Sequence, residues 1–138
     1  MEQERSDAML SILIPTLTDR ERMLSRLMDK LNSIIRNYPV EILIEEDQGQ
    51  LTTGAKRNKL VDRANGLFSA FIDDDDDVPE WYFDSIFRLL HNEPDCDCIG
   101  FKGLIMWSDP QRRQRTETFK HAHGLPYSNG KIHGEYRP

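Results

Sequence analysis

Apolar residues in this chain come as short continuous runs separated by stretches with helical spacing. Leu10-Ser11-Ile12-Leu13-Ile14, closed by Pro15, predicts a buried strand. Thr18-Asp19-Arg20-Glu21 matches a capping box. Met23, Leu24, Leu27, Met28, Leu31, Ile34 and Ile35 then fall on one helical face, which predicts an amphipathic helix to about Asn37, stopped by Pro39. Val40-Glu41-Ile42-Leu43-Ile44 reads as a second buried strand running into Glu45-Glu46-Asp47 and a polar loop. Residues 54–64 read as a second helix, with Asn65-Gly66 as a left-handed stop. A third strand is expected over 67–72. Pro79 fits the first turn of a helix lined by Trp81, Phe83, Ile86, Phe87, Leu89 and Leu90. Cys98 to Trp107 predicts a fourth strand. Beyond Asp109 comes the basic loop Gln111-Arg112-Arg113-Gln114-Arg115. Residues 116–123 and 131–136 then predict short antiparallel strands around Ser128-Asn129-Gly130.

Strands alternating with helices imply right-handed crossovers and a mostly parallel sheet covered on both faces. The expected fold is therefore a three-layer, Rossmann-like α/β sandwich with a short antiparallel C-terminal hairpin. A length of 138 residues suits one domain, divided into a tail (1–9), a core (10–108) and an extension (109–138). The three loops that follow the first three strands leave one edge of the sheet, and polar chemistry is concentrated there. The net charge of −6 argues against general nucleic-acid binding. Cys96 and Cys98 are too close for an ordinary disulfide and too few for zinc, so free thiols are expected. The polar N-terminus lacks the order of a signal peptide, and no apolar run has the length of a membrane span. These features give a soluble, cytoplasmic reading.

Asp73 to Asp77, directly behind the third strand, carry the strongest chemical signal. Adjacent carboxylates repel one another, and a hard cation such as Mg2+ or Mn2+ would relieve them. Residues two apart in extended backbone point the same way, so Asp73 and Asp75 are expected to face one ion. A solvated acidic loop that opens a helix is the other reading. Its weight is lowered by the rule that open α/β sheets bind ligands at the carboxyl ends of their strands. Lys56 and Arg57 fall in the first turn of the second helix, where the helix dipole disfavours cations. A nearby anion accounts for them, as does simple surface exposure. No P-loop or Gly-x-Gly-x-x-Gly pattern is present.

Four segments then carry a resemblance: Ser11-Ile12-Leu13-Ile14-Pro15-Thr16, Glu41-Ile42-Leu43-Ile44-Glu45-Glu46-Asp47, Thr53-Gly54-Ala55-Lys56-Arg57-Asn58 and Phe71-Ile72-Asp73-Asp74-Asp75-Asp76. Their order and spacing resemble family 2 glycosyltransferases of the GT-A fold, in the small form found in phage and bacterial genomes, over about residues 10–105. The resemblance implies a nucleotide-diphosphate sugar as donor, an acceptor not specified by the motifs, and Mn2+ or Mg2+ as cofactor. It implies that Pro15, Thr16 and Glu46 hold base and ribose, with Arg57 near ribose and diphosphate. The Asp-x-Asp motif maps onto Asp73-Asp74-Asp75, with Asp73 and Asp74 toward the nucleotide and Asp75 on the metal. A register slip lets Asp76 join or replace Asp75.

Relatives are expected to place a carboxylate base in a later acidic motif, and no Glu-Asp motif follows Asp109 here. His121, His123, His133 and Glu135 are the late candidates for the base. The chain is thus expected to be a glycosyltransferase or its donor-binding half. Apolar surface near Trp107 and Tyr127 would then be left for self-association. The alternatives are a non-catalytic sugar-nucleotide or metal-binding module acting with a partner, and a nucleotidyltransferase. The absence of a Gly-rich basic loop after the first strand counts against the last.

Overall fold

In a computed structural model the structure describes residues 7–101 together with the backbone of four short strands beyond them. The architecture is mixed α/β. The elements are β1 (Leu10–Leu17), α1 (Glu21–Ile34), β2 (Val40–Asp47), α2 (Thr53–Arg63), β3 (Phe68–Phe71) and α3 (Tyr82–Asn92). The short strands β4 (Gly103–Ile105), β5 (Glu117–Phe119), β6 (Tyr127–Ser128) and β7 (Lys131–Ile132) follow. The chain divides into two compact units, Met1–Phe83 and Asp84–Pro138.

The first unit is built on a three-stranded parallel sheet of order β2-β1-β3. Being central, β1 is buried along nearly its whole length, with Ile12, Leu13 and Ile14 fully enclosed. The helices α1 and α2 contribute Leu27, Leu31, Ile34 and Leu60 to the buried set. Among the described residues both other strands are edges, which corrects the expectation that they are buried: β2 is half-buried, and β3 alternates half-buried and exposed residues.

Pro15 does not close β1, which runs on to Leu17 paired with Asp47. The ladder explains this. Odd-numbered residues of β1 bond toward β3, as in Ile72 N–H to Leu13 O, in step with Phe68 N–H to Met9 O just ahead of the strand. The last β3 pair is Leu13 with Phe71, so Pro15 occupies the next position on that side, beyond the paired strand. Its missing N–H removes no ladder bond.

The capping box does not form. A 3-10 turn, Thr18–Arg20, precedes α1, and the Thr18 hydroxyl donates to the Asp47 carbonyl instead. Helix α1 stops at Ile34, with Arg36 left-handed at φ 46°, before the proline is reached. The end of α2 is also not a left-handed stop, since neither Asn65 nor Gly66 has positive φ. Gly66 is needed for space. A Cβ there would lie 2.7 Å from the Ser11 backbone nitrogen, and the Gly66 N–H donates to Ser11 Oγ. That hydroxyl in turn donates to Glu41, which also accepts from Asn65. Burial opposes the charge on Glu41, and the bonds from Ser11 and Asn65 outweigh it and hold the carboxyl below its usual range.

Pro79 lies in a turn ahead of α3 and accepts from the Tyr82 N–H through its carbonyl, and Trp81 is exposed before the helix begins. In the second unit Ile86, Leu90 and Cys96 are buried, and both cysteines are free. Within the expected strand 98–107, Gly103–Ile105 form β4, which pairs antiparallel with β5, as β6 does with β7. The side chains of Trp107 and Tyr127 lie outside the described residues. Among the described residues no helix is long and apolar enough to cross a membrane.

Candidate functional site

The carboxyl ends of β1, β2 and β3 and the N-terminus of α2 surround a cleft of about 400 Å³. Its lining includes Pro15 and Thr16 from the end of β1, Arg20 from the turn before α1, Leu51 and Thr52 from the loop after β2, Lys56 from the first turn of α2, and Asp73, Asp74 and Asp75 from the loop after β3. A parallel sheet directs all three loops to this edge, so the location follows from topology.

Thr16 and Lys56 tie the first two loops together. The Lys56 ammonium, on a residue only 4% exposed, donates to the Thr16 carbonyl and to Asp47 Oδ1, both at 2.9 Å. Asp47 Oδ2 accepts from the Leu51 N–H. These bonds, Lys56 foremost, lower the Asp47 pKa. A buried lysine must be paired, and here the pairing is internal. Asp47 is thus the anion beside Lys56, and simple surface exposure does not account for this lysine.

The aspartate run is not one chemical unit. The Asp76 N–H bonds the Asp73 carbonyl at 3.0 Å, closing a turn. This turn, rather than strand alternation, sets where the side chains go. Asp74 points inward, its side chain 1% exposed. One of its oxygens accepts from the Thr16 hydroxyl at 2.7 Å and the other from Arg20 Nη1 at 2.7 Å. Thr16 is 3% exposed, with hydroxyl and carbonyl both engaged. Asp77 accepts from the Val78 N–H.

The remaining three carboxylates, Asp73, Asp75 and Asp76, each offer an oxygen within 4.8 Å of the others. The protein atoms around its carboxyl, then the charges of Asp73 and Asp75, push the Asp76 pKa up. A cluster of carboxylate oxygens suits a hard divalent ion, so the residues fit Mg2+ or Mn2+. Asp73 and Asp75 each have an arginine beside them. Arg57 Nη2 meets Asp73 at 3.1 Å, and Arg20 Nη2 lies 3.9 Å from Asp75. Arg57 also stacks over the Phe71 ring at 5.3 Å.

The structure thus brings Pro15, Thr16, Asp73, Asp74 and Asp75 to one cleft, with Asp76 joining the carboxylate group. Glu46 is exposed on β2, and neither it nor Arg57 belongs to the cleft lining. His121, His123, His133 and Glu135 lie outside the described residues. Arg20 was missed by the sequence reading, which assigned it to a capping box. The available signal was a cation at the start of a helix, the same anomaly noted for Lys56 and Arg57.

No family model, curated protein or solved structure matches the chain.

Proposed function

We propose that this chain is a metal-dependent glycosyltransferase, or its donor-binding half, acting on a nucleotide-diphosphate sugar. The observation that carries the reading is the Asp73, Asp75 and Asp76 oxygens grouped at a cleft on the carboxyl edge of a parallel sheet. The order of the four motifs, similar to family 2 glycosyltransferases, supports it.

In this reading Asp73, Asp75 and Asp76 hold Mg2+ or Mn2+, which when bound offsets the charge that builds on the departing diphosphate. Asp74 keeps the turn seated on Thr16, so that its neighbours face outward. Pro15 and Thr16 form the wall against which base and ribose rest, with Glu46 at its outer rim. Arg57 holds Asp73 in place and neighbours the diphosphate. The acceptor base comes from beyond the described residues, where Glu135, His121, His123 and His133 are the candidates.

Calorimetry with a set of nucleoside diphosphates, with Mn2+ and with excess chelator, tests the binding step. Equal affinity in both conditions would refute a metal-assisted donor site. Turnover of a nucleotide-sugar panel with Mn2+ then separates the enzyme from a non-catalytic donor-binding module, which would bind without transferring.

A further inference from the structure

Resting on the donor-site reading above, we propose that Arg20 is a second diphosphate-binding cation, set in the cleft wall itself, and that the buried Asp74 is the residue that positions it. Among the described residues lining the cleft, the cations are Arg20 and Lys56. The Lys56 ammonium is buried and already shared between Thr16 and Asp47. Arg57 lies outside the lining and is held by Asp73 and Phe71. Arg20 differs from Lys56 in its exposure, and from Arg57 in lying on the cleft lining and in resting on a buried rather than a half-exposed carboxylate. Its side chain is 39% exposed, and a carboxylate whose own side chain is 1% exposed fixes one end of it at 2.7 Å.

A guanidinium carries more donors than one carboxylate oxygen can use. Asp74 accepts only through Nη1, and its second oxygen is taken by Thr16. The contact from Nη2 to Asp75, at 3.9 Å, is too long for a hydrogen bond. Arg20 therefore keeps donor capacity at the cleft wall in an orientation set from below. Its position at the start of α1 is unfavourable for a cation without a nearby anion. Asp74 supplies part of that charge, and a phosphate would supply more. A cation held by Asp75 would also offset that carboxylate's attraction for Nη2. Pre-set forks of this kind match the paired oxygens of a diphosphate better than an ammonium does.

The probe is inorganic pyrophosphate with excess Mg2+, titrated by calorimetry, with Mn2+ binding alone followed by electron paramagnetic resonance. Arg20→Ala is expected to weaken pyrophosphate binding by about tenfold or more, while Mn2+ affinity holds or rises, because the variant loses a cation 3.9 Å from Asp75. Arg20→Lys should fall between wild type and Arg20→Ala. Asp74→Asn, which keeps the shape but not the charge, should weaken pyrophosphate binding in the same direction without lowering Mn2+ affinity, whereas a role only in seating the turn of Asp73, Asp75 and Asp76 would lower Mn2+ affinity as well. Unaltered pyrophosphate affinity in Arg20→Ala overturns the proposal and leaves the donor-site reading standing. Should Arg20→Ala fail to fold, unaltered affinity in Arg20→Lys overturns it equally. Wild-type protein that binds neither Mn2+ nor pyrophosphate overturns both.

Discussion

Two neighbours in the aspartate run should respond to the same substitution with opposite sign. Asp74→Asn removes the charge from a side chain 1% exposed, whose oxygens bond Thr16 and Arg20 at 2.7 Å each. An asparagine keeps one carbonyl acceptor, and the Thr16 hydroxyl can turn to accept from the new amide. The main loss is the charge-assisted bond to Arg20, about 1.5–3 kcal/mol. The larger penalty of about 3–5 kcal/mol for stranding a buried charge does not apply, because Arg20 is 39% exposed and can be hydrated. Relief of repulsion opposes this loss, but among the charges acting on Asp76 that of Asp74 ranks behind Asp73 and Asp75. Destabilisation therefore wins, and the melting temperature should fall by roughly 5–10 °C.

Asp75→Asn gives up only the 3.9 Å ion pair, between side chains 39% and 53% exposed. Such a pair is worth about 0–1 kcal/mol. Losing a like charge beside Asp73 and Asp76 offsets it, so the metal-free variant should melt at or slightly above wild type. Thermal and urea denaturation in excess chelator measure both. An Asp74→Asn variant as stable as wild type, or an Asp75→Asn variant destabilised to the same degree, would refute the division of the run into one anchor and an outward-facing group.

Further outcomes follow from the same contacts. Asp76 has its pKa raised above 3.8, so its ionised form disfavours folding. The Asp76 contribution to stability should rise as pH falls from neutrality through that raised value, while those of Glu41 and Asp47, whose values are lowered from 4.5 and 3.8, are lost as pH falls through the carboxylate range. Asp76→Asn should abolish this rise in a pH series of melting temperatures, and an unchanged slope would assign it elsewhere. Gly66→Ala places a Cβ 2.7 Å from the backbone of the central strand, so a loss of about 1–3 kcal/mol is expected by denaturation. A neutral result would show that β1 can move. Arg57→Ala should weaken nucleoside diphosphate binding more than nucleoside binding in calorimetry, with little change in melting temperature because its pair with Asp73 is half-exposed. Equal losses for both ligands would move Arg57 away from the phosphates.

Element type and order through α3 were legible in the sequence because they rest on periodicity. The run Leu10–Ile14, the helical spacing from Met23 to Ile35 and the apolar segment before Asp73 each state a local preference strongly enough to survive folding. The position of the candidate site was legible for the same reason, since parallel strands send their following loops to one edge. Boundaries were less so. Whether Pro15 breaks a strand depends on which neighbour its N–H would face, and that is known only once β3 is seen to end at Phe71. The roles inside the aspartate run were beyond the sequence altogether. Five identical residues carry no internal distinction, and a turn closed by the Asp76 N–H decides which one is buried. Thr16 and Arg20, 58 and 54 residues away from Asp74, give that buried carboxylate its partners. Lys56 finds Asp47 and the Thr16 carbonyl in the same way. Periodicity reports which face of an element is apolar. The pairing of buried charges depends on distances between elements, and only the tertiary structure sets those.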